Sequence, residues 1–375
     1  MKIKVEIGRF ILKLIFYPRY HFVFTYSEFN PKRKDPYFLI ANHASLNDSL
    51  FVEINLIKYP YPIVNNILYT NPWYNFLLNK VIKSIAKRKG QSDILTIRSI
   101  IQTFNHEQRG IIIFPEGNAS YFGEQTDVSY FSIAKLVKKI KHEVVLAKIN
   151  GGYFSAPRWG KRRKKGYYHV HYETLLTTSQ LENLSIEQIE QKIKQAIAFN
   201  DYEWNRTEKI VYKSKEKAVG LEKYIYYCPI CGHLQTIETK GNDIFCKSCG
   251  KIAHINPYEF IEGLPFDNLI EWDHLQKKKI PEVILNEIHS FGRLIEIDFV
   301  KNRRIIIGDM KITLHQKELI LVNDEYQKIF YVDLISGIAL TQKNYLSFDY
   351  DEKTYLIRIN DPMLIMDSIN YIKGE

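Results

Sequence analysis

His43 and Asp48 stand five positions apart in YFLIANHASLNDSLF, residues 37–51, directly after a short apolar run. Imidazole is the side chain best poised to take and return a proton near neutral pH, and a neighbouring carboxylate fixes its tautomer and steadies the imidazolium. The same spacing also suits an ordinary helix start, with Asp48 as a cap. A second polar cluster, FPEGNAS at 114–120, follows another apolar run, and its Glu116-Gly117 turn lets a ligand approach the backbone closely. A third constellation is Cys228-x2-Cys231 and Cys246-x2-Cys249, with fourteen residues between the pairs and a glycine after each. Two such knuckles can present four thiolates tetrahedrally to one zinc ion, and four protein ligands leave no open position, so the expected role is structural. No cysteine lies in the first 227 residues, so no thiol nucleophile is available there.

The elements that must position these groups alternate. PYFLIA (36–41), GIIIF (110–114) and EVVLAKI (143–149) are short apolar runs of the kind buried strands show. Ile94, Ile97, Ile101 and Phe104 recur at a helical period, and Ser185 with Gln188 three residues on reads as a capping box before Ile186, Ile189, Ile193 and Ile197. The pattern predicts an α/β sandwich around a largely parallel sheet. In such open sheets ligands bind beyond the carboxyl ends of strands, and two of these runs end in NHASLND and FPEGNAS.

These two boxes carry a resemblance. NHASLND matches the N-H-x4-D box, and FPEGNAS the F-P-E-G-x-x-S box, of the glycerolipid acyltransferases typified by lysophosphatidic acid acyltransferase, in the family's order and about 70 residues apart. The likeness spans roughly residues 30–175, with Arg88 at the place of a phosphate-binding arginine and EVVLAKING approximating a fourth element. It implies the glycerol-phosphate acyltransferase-like αβ sandwich, with His43 as general base and Asp48 as its orienting partner. It further implies Asn42, Arg88, Glu116, Gly117 and Ser120 as the substrate-binding set. The reaction implied is transfer of an acyl group from acyl-CoA or acyl-carrier protein to the free hydroxyl of a lysophospholipid, foremost 1-acyl-sn-glycerol-3-phosphate, giving phosphatidic acid without an acyl-enzyme. Two departures fall on the acceptor side: Ala119 replaces a common arginine, and Ile82 stands where the family's second box opens with glycine.

Net charge of +10 favours an anionic partner, an anionic membrane surface among them. RWGKRRKK concentrates Arg158, Lys161, Arg162, Arg163, Lys164 and Lys165 as either a solvated loop or an anion-docking patch. No run reaches the ~18 apolar residues of a spanning helix. Residues 3–16, with Ile7, Ile11, Leu14 and Ile15 on one side, suit a helix lying in a membrane interface or packed on the protein's own body. Together with clustered, reduced cysteines this predicts a cytoplasmic protein held peripherally at the inner membrane face. After the ribbon-like cysteine segment, short strands separated by turns and a last helix opened by Asp361-Pro362 resemble a pleckstrin-homology-like antiparallel β barrel capped by a helix.

The expected organisation is an interfacial segment (1–30), an acyltransferase domain (31–205), a linker (206–222), a small four-cysteine zinc ribbon (223–262), a helical connector (263–295) and the pleckstrin-homology-like domain (296–375). The competing class is a non-catalytic lipid or nucleic-acid binder on the same scaffold. Tyr224, Tyr226, Tyr227 and Phe245 around the cysteines would suit nucleic acid. The ribbon's near-balanced charge, and its distance from the basic run, speak against it.

Overall fold

The apolar run at 38–41 becomes a strand with no exposed residue, because both its edges are paired and both its faces covered. A computed structural model describes residues 2–87, 94–126 and 128–374. The chain divides into two units, Met1–Arg158 with Arg163–Lys213, and Trp159–Arg162 with Ser214–Glu375.

In the first unit β1 (His21–Ser27), β2 (Phe38–Ala41), β3 (Tyr61–Asn65), β4 (Ile85–Lys87), β5 (Ile111–Ile113), β6 (Val144–Asn150) and β7 (Tyr167–Leu176) form one sheet. Its order is β1-β7-β6-β2-β5-β3-β4. Every pair is parallel except β6 with β7, so the sheet is mixed. The helices are α1 (Lys2–Phe16), α2 (Asp48–Glu53), α3 (Pro72–Phe76), α4 (Ile94–Asn105), α5 (Phe131–Ile140), α6 (Gly152–Ser155), α7 (Thr178–Asn183), α8 (Ile186–Ile197) and α9 (Asp201–Glu208). On one face of the sheet Phe38, Ile40, Ile111 and Leu146 pack with Phe104 of α4, Ile133 and Val137 of α5, and Ile189 and Ile193 of α8. The box at Ser185 and Gln188 makes both its reciprocal bonds.

In the second unit β8 (Ile237–Lys240), β9 (Asp243–Cys246), β10 (Gly250–Ile255) and β11 (Ile261–Glu262) form a small antiparallel sheet. Helices α10 (Leu269–Lys278) and α11 (Ile280–Val283) follow. Then β12 (Ile288–Asp298), β13 (Arg303–His315), β14 (Glu318–Val322), β15 (Gln327–Tyr331), β16 (Ser336–Thr341), β17 (Tyr345–Tyr350) and β18 (Lys353–Ile359) pair in the order β15-β14-β13-β12-β18-β17-β16. Irregularities after Leu294 and Ser336 bend this antiparallel sheet into a half-barrel. The last helix, α12 (Pro362–Lys373), buries Met363, Leu364, Ile365 and Ile369. Asp361 stands at its start, yet its carboxylate accepts from Ser290 Oγ at 2.7 Å instead of capping the helix.

Several expectations from sequence meet a different arrangement. Residues 21–27, assigned above to the interfacial segment, are a strand of the central sheet. The stretch 206–222 contains the division between the two units, at Lys213 and Ser214, and within it Tyr212, Ala218 and Leu221 are fully buried. The half-barrel opens at Ile288, inside the stretch assigned to a helical connector. In α4 the inward face is Thr96, Ile100, Thr103 and Phe104, while Ile94 is 67% exposed. The threonines can turn inward because Thr96 donates to the Ala86 carbonyl at 3.0 Å and Thr103 to the Ser99 carbonyl at 2.8 Å.

Gly8, a weak point for a helix by propensity, is where α1 approaches the Leu77–Ile82 turn. A Cβ there would sit 2.9 Å from Val81 Cγ1. The basic run is not one solvated loop either: Arg158 and Lys164 are buried, and Arg163 lies over the Phe16 ring at 4.7 Å.

Candidate active site

β5, β2 and β6 lie side by side, and the segments leaving their carboxyl ends meet. Beyond β2, Asn42 locks the end of β6: its amide donates to the Ile149 carbonyl at 2.9 Å and accepts from the Ile149 N–H at 2.7 Å. The next residue, His43, is clamped by the loop that follows β5. Its N–H donates to Glu116 Oε1 at 2.8 Å, and its carbonyl accepts from the Ser120 N–H at 2.7 Å. The imidazole stacks on Phe114, ring centroids 4.4 Å apart, and stays 17% exposed.

His43 Nδ1 bonds Asp48 Oδ2 at 2.9 Å. Asp48 opens α2, but its carboxylate turns back and is fully buried, accepting also from Ser45 N–H at 2.8 Å, Ser45 Oγ at 2.7 Å and Tyr168 OH at 2.6 Å. A carboxylate surrounded by donors can only accept a hydrogen bond from the ring, so Nδ1 carries the proton and Nε2 is left as the free acceptor. Among the described residues nothing hydrogen-bonds Nε2. The arrangement can therefore accept a proton from a group that docks against the exposed edge of the ring.

The loop after β5 is itself braced. Gly117 adopts φ +71° with open space where a Cβ would be. Ser120 Oγ donates to the Glu124 carbonyl at 2.7 Å and accepts from the Gly123 N–H at 2.9 Å. The chain entering α9 pairs with this loop, Asp201 N–H to the Gly123 carbonyl at 2.8 Å. The buried Asp201 carboxylate holds the turn after β6 through the N–H groups of Gly151 and Tyr153, both at 2.9 Å. Burial pushes this carboxyl up to about 7 against the pull of its two donors. Lys148 caps the end of α8 by donating to the Ala196 carbonyl at 3.0 Å, and burial pushes it down to about 8.

The sequence-derived residues are thus placed as follows. His43, Asp48, Asn42, Glu116, Gly117 and Ser120 come together, whereas Arg88 lies outside the described residues. The polar atoms of Asn42, Glu116 and Ser120 are spent on backbone groups. Ala119 is buried, and its carbonyl accepts from Arg158 Nη1 at 3.2 Å. Sequence reasoning misses Tyr168, Phe114 and Asp201. Phe114 sits inside the second box, but nothing in a strand alternating inward tyrosines marks Tyr168.

In the second unit the four cysteine sulfurs lie within 4.8 Å of one another, with Cys231 and Cys246 3.7 Å apart. Four sulfurs each about 2.3 Å from a central ion form a tetrahedron with edges of about 3.8 Å, so the cluster fits a metal and is too open for a disulfide. Cys228 and Cys246 are buried, Cys231 is half-buried and Cys249 exposed. Gly232 and Gly250, after each pair, take φ +75° and +77°, which closes the two knuckles.

Residues 22–172 match the model of the acyltransferase family. By that match residues 22–172 are an acyltransferase domain. Among solved structures, the 1-acyl-sn-glycerophosphate (LPA) acyltransferase PlsC from Thermotoga maritima aligns over 55% of this chain and 79% of its own, at 17% identity and TM-score 0.43. The Inner Membrane Complex Sub-compartment Protein 3 from Toxoplasma gondii aligns over 22% of this chain and 72% of its own, at 12% identity and TM-score 0.17. No curated protein matches.

Glu116 is itself a pH-sensitive group. Both its oxygens accept backbone N–H groups, from His43 and from Thr126 at 3.0 Å, yet burial pushes its carboxyl up to about 8. The unfolded chain releases this proton near the ordinary carboxylate value, so between about pH 4.5 and 8 the folded state binds the extra proton. Stability therefore falls as pH rises through that window. Glu116→Gln removes the titration, but its amide nitrogen cannot accept the second backbone N–H, so in urea unfolding it should be less stable than wild type at about pH 5 and should lose that deficit as pH rises to about 8. A constant difference between the two proteins across that range would contradict the assignment.

Proposed function

We propose that this protein transfers an acyl group from an acyl thioester, acyl-CoA or acyl-carrier protein, to the free hydroxyl of a lysophospholipid, foremost 1-acyl-sn-glycerol-3-phosphate. The observation that carries the reading is the His43–Asp48 pair: Nδ1 is held at 2.9 Å by a buried carboxylate, while Nε2 is free on a partly exposed ring. The acceptor oxygen attacks the thioester carbonyl as Nε2 takes its proton. Collapse of the tetrahedral intermediate expels the thiolate, which recovers that proton from the imidazolium, so no acyl-enzyme forms. Asn42, Glu116 and Ser120 act as positioning residues, because their polar atoms hold the backbone around His43. Gly117 leaves the loop open for the acceptor, and Arg88 is assigned the acceptor phosphate.

The four-cysteine cluster is assigned a structural zinc ion, held by Cys228, Cys231, Cys246 and Cys249. Peripheral attachment to an anionic membrane is supported by α1 and α3. They expose Phe10 (62%), Leu14 (60%), Trp73 (68%) and Phe76 (56%), and α1 and its flanks are basic. No helix among the described residues is long and apolar enough to cross a membrane.

The test is thioester consumption over a panel of acceptors presented in phosphatidylglycerol-containing vesicles. Turnover should require a lysophospholipid with a free hydroxyl and be fastest with the phosphomonoester, and the protein should sediment with the vesicles. Consumption independent of acceptor would overturn the transfer reaction. Protein remaining in the supernatant would overturn the membrane assignment.

A further inference from the structure

β7 turns Tyr168, Val170 and Tyr172 to the inner face of the sheet, and all three are fully buried. Two of them hold the same short helix. Tyr168 OH donates to Asp48 Oδ1 at 2.6 Å at the start of α2, and Tyr172 OH donates to the Val52 carbonyl near its end. Their surroundings are alike: Tyr168 packs edge-on against Phe51 at 5.0 Å, and Tyr172 stacks on Phe29 at 5.6 Å. The difference between them is what they bond. Tyr172 reaches a neutral carbonyl, whereas Tyr168 reaches the carboxylate whose other oxygen holds His43.

We propose that Tyr168 is a positioning residue that sets how strongly Asp48 pulls on His43; this rests on the reading of His43 as the base. Each donor on a carboxylate disperses part of its charge. The Asp48 carboxylate serves three donors besides the imidazole, and Tyr168 is the one contributed from another part of the chain, 120 positions away. Burial and the adjacent carboxylate push the phenol well above its ordinary range, so it remains a neutral donor throughout the working pH. Without that hydroxyl, Asp48 keeps its contact with Ser45 but concentrates its charge on the imidazole. The Nδ1–H bond then strengthens, and Asp48 also loses the restraint that fixes its plane.

Three proteins decide this: wild type, Tyr168→Phe and Tyr172→Phe. In Tyr168→Phe the acid limb of the kcat/KM profile should move to higher pH by about half a unit, with a fall of about three- to tenfold at neutral pH. The downfield proton resonance of the His43 Nδ1–H should move further downfield. Tyr172→Phe removes a hydroxyl of the same size from the same face, and should leave both readouts where they are. Identical profiles and resonances in wild type and Tyr168→Phe would overturn the proposal, as would equal shifts in the two phenylalanine variants. The resonance comparison needs no turnover. A protein that consumes no thioester would therefore defeat the acyl-transfer reading while the resonance still decides the tyrosine.

Discussion

Replacing His43 with alanine is expected to slow acyl transfer by about 10²–10⁴-fold, the usual worth of a positioned general base, while the protein stays folded. The fold should survive because the backbone bonds of His43, its N–H to Glu116 and its carbonyl from Ser120, do not involve the side chain. The imidazole is also partly exposed, so its removal leaves no closed cavity. Acceptor binding should change little, which places the loss in kcat more than in KM. Asp48→Asn should be comparably slow for a different reason. An amide cannot accept from Nδ1–H, both Ser45 donors and Tyr168 at once, so the ring loses its tautomer and a buried donor loses its partner. That variant should therefore also lose stability, by about 1–3 kcal/mol for each donor left without a partner. Because the two side chains act as one unit, the double variant should be no slower than the slower single one. A His43→Ala rate within about threefold of wild type would remove imidazole from the mechanism.

The parts of this site legible in the sequence are those that chemistry ties to local spacing. NHASLND carries His43 and Asp48 within one short segment, and FPEGNAS carries the turn that clamps them. Strand runs such as 38–41 are readable because a strand buried on both faces must be continuously apolar. What could not be read is whatever depends on pairing across long separations. Tyr168 reaches Asp48 only because β7 lies antiparallel to β6 and parallel to β1, and an inward tyrosine on an alternating strand looks like core. Asp201 belongs to no motif of the sequence, and becomes a brace for two loops only once α9 begins beside Gly123. Thr96 and Thr103 read as polar in a hydrophobic pattern, and so rotate the expected face of α4. The basic run misleads in the opposite direction, since charge counts cannot show that Arg158 and Lys164 turn inward.

Loss of metal from the cysteine cluster is expected to unfold the ribbon outright. Its sheet is built from strands of only two to six residues, and its apolar interior is small: Ile237, Ile244, Ile252, Ala253, Ile255 and Ile261 from the sheet, with Tyr224, Ile225 and Tyr226 ahead of it. So small a core cannot by itself offset the entropy of ordering about forty residues. A structural zinc ion bound by four thiolates contributes about 10–16 kcal/mol near neutral pH, enough to decide the balance. The purified protein should accordingly contain one zinc ion per chain. Cys228→Ser should lose it together with protease resistance across residues 223–262. Cys249→Ser should behave the same way even though Cys249 is exposed and Cys228 buried, because in the proposed site each would supply one of the four ligands. That equality separates metal binding from simple packing, which would make the buried cysteine far costlier to replace than the exposed one. Stoichiometric zinc retained in either serine variant would contradict the four-thiolate site.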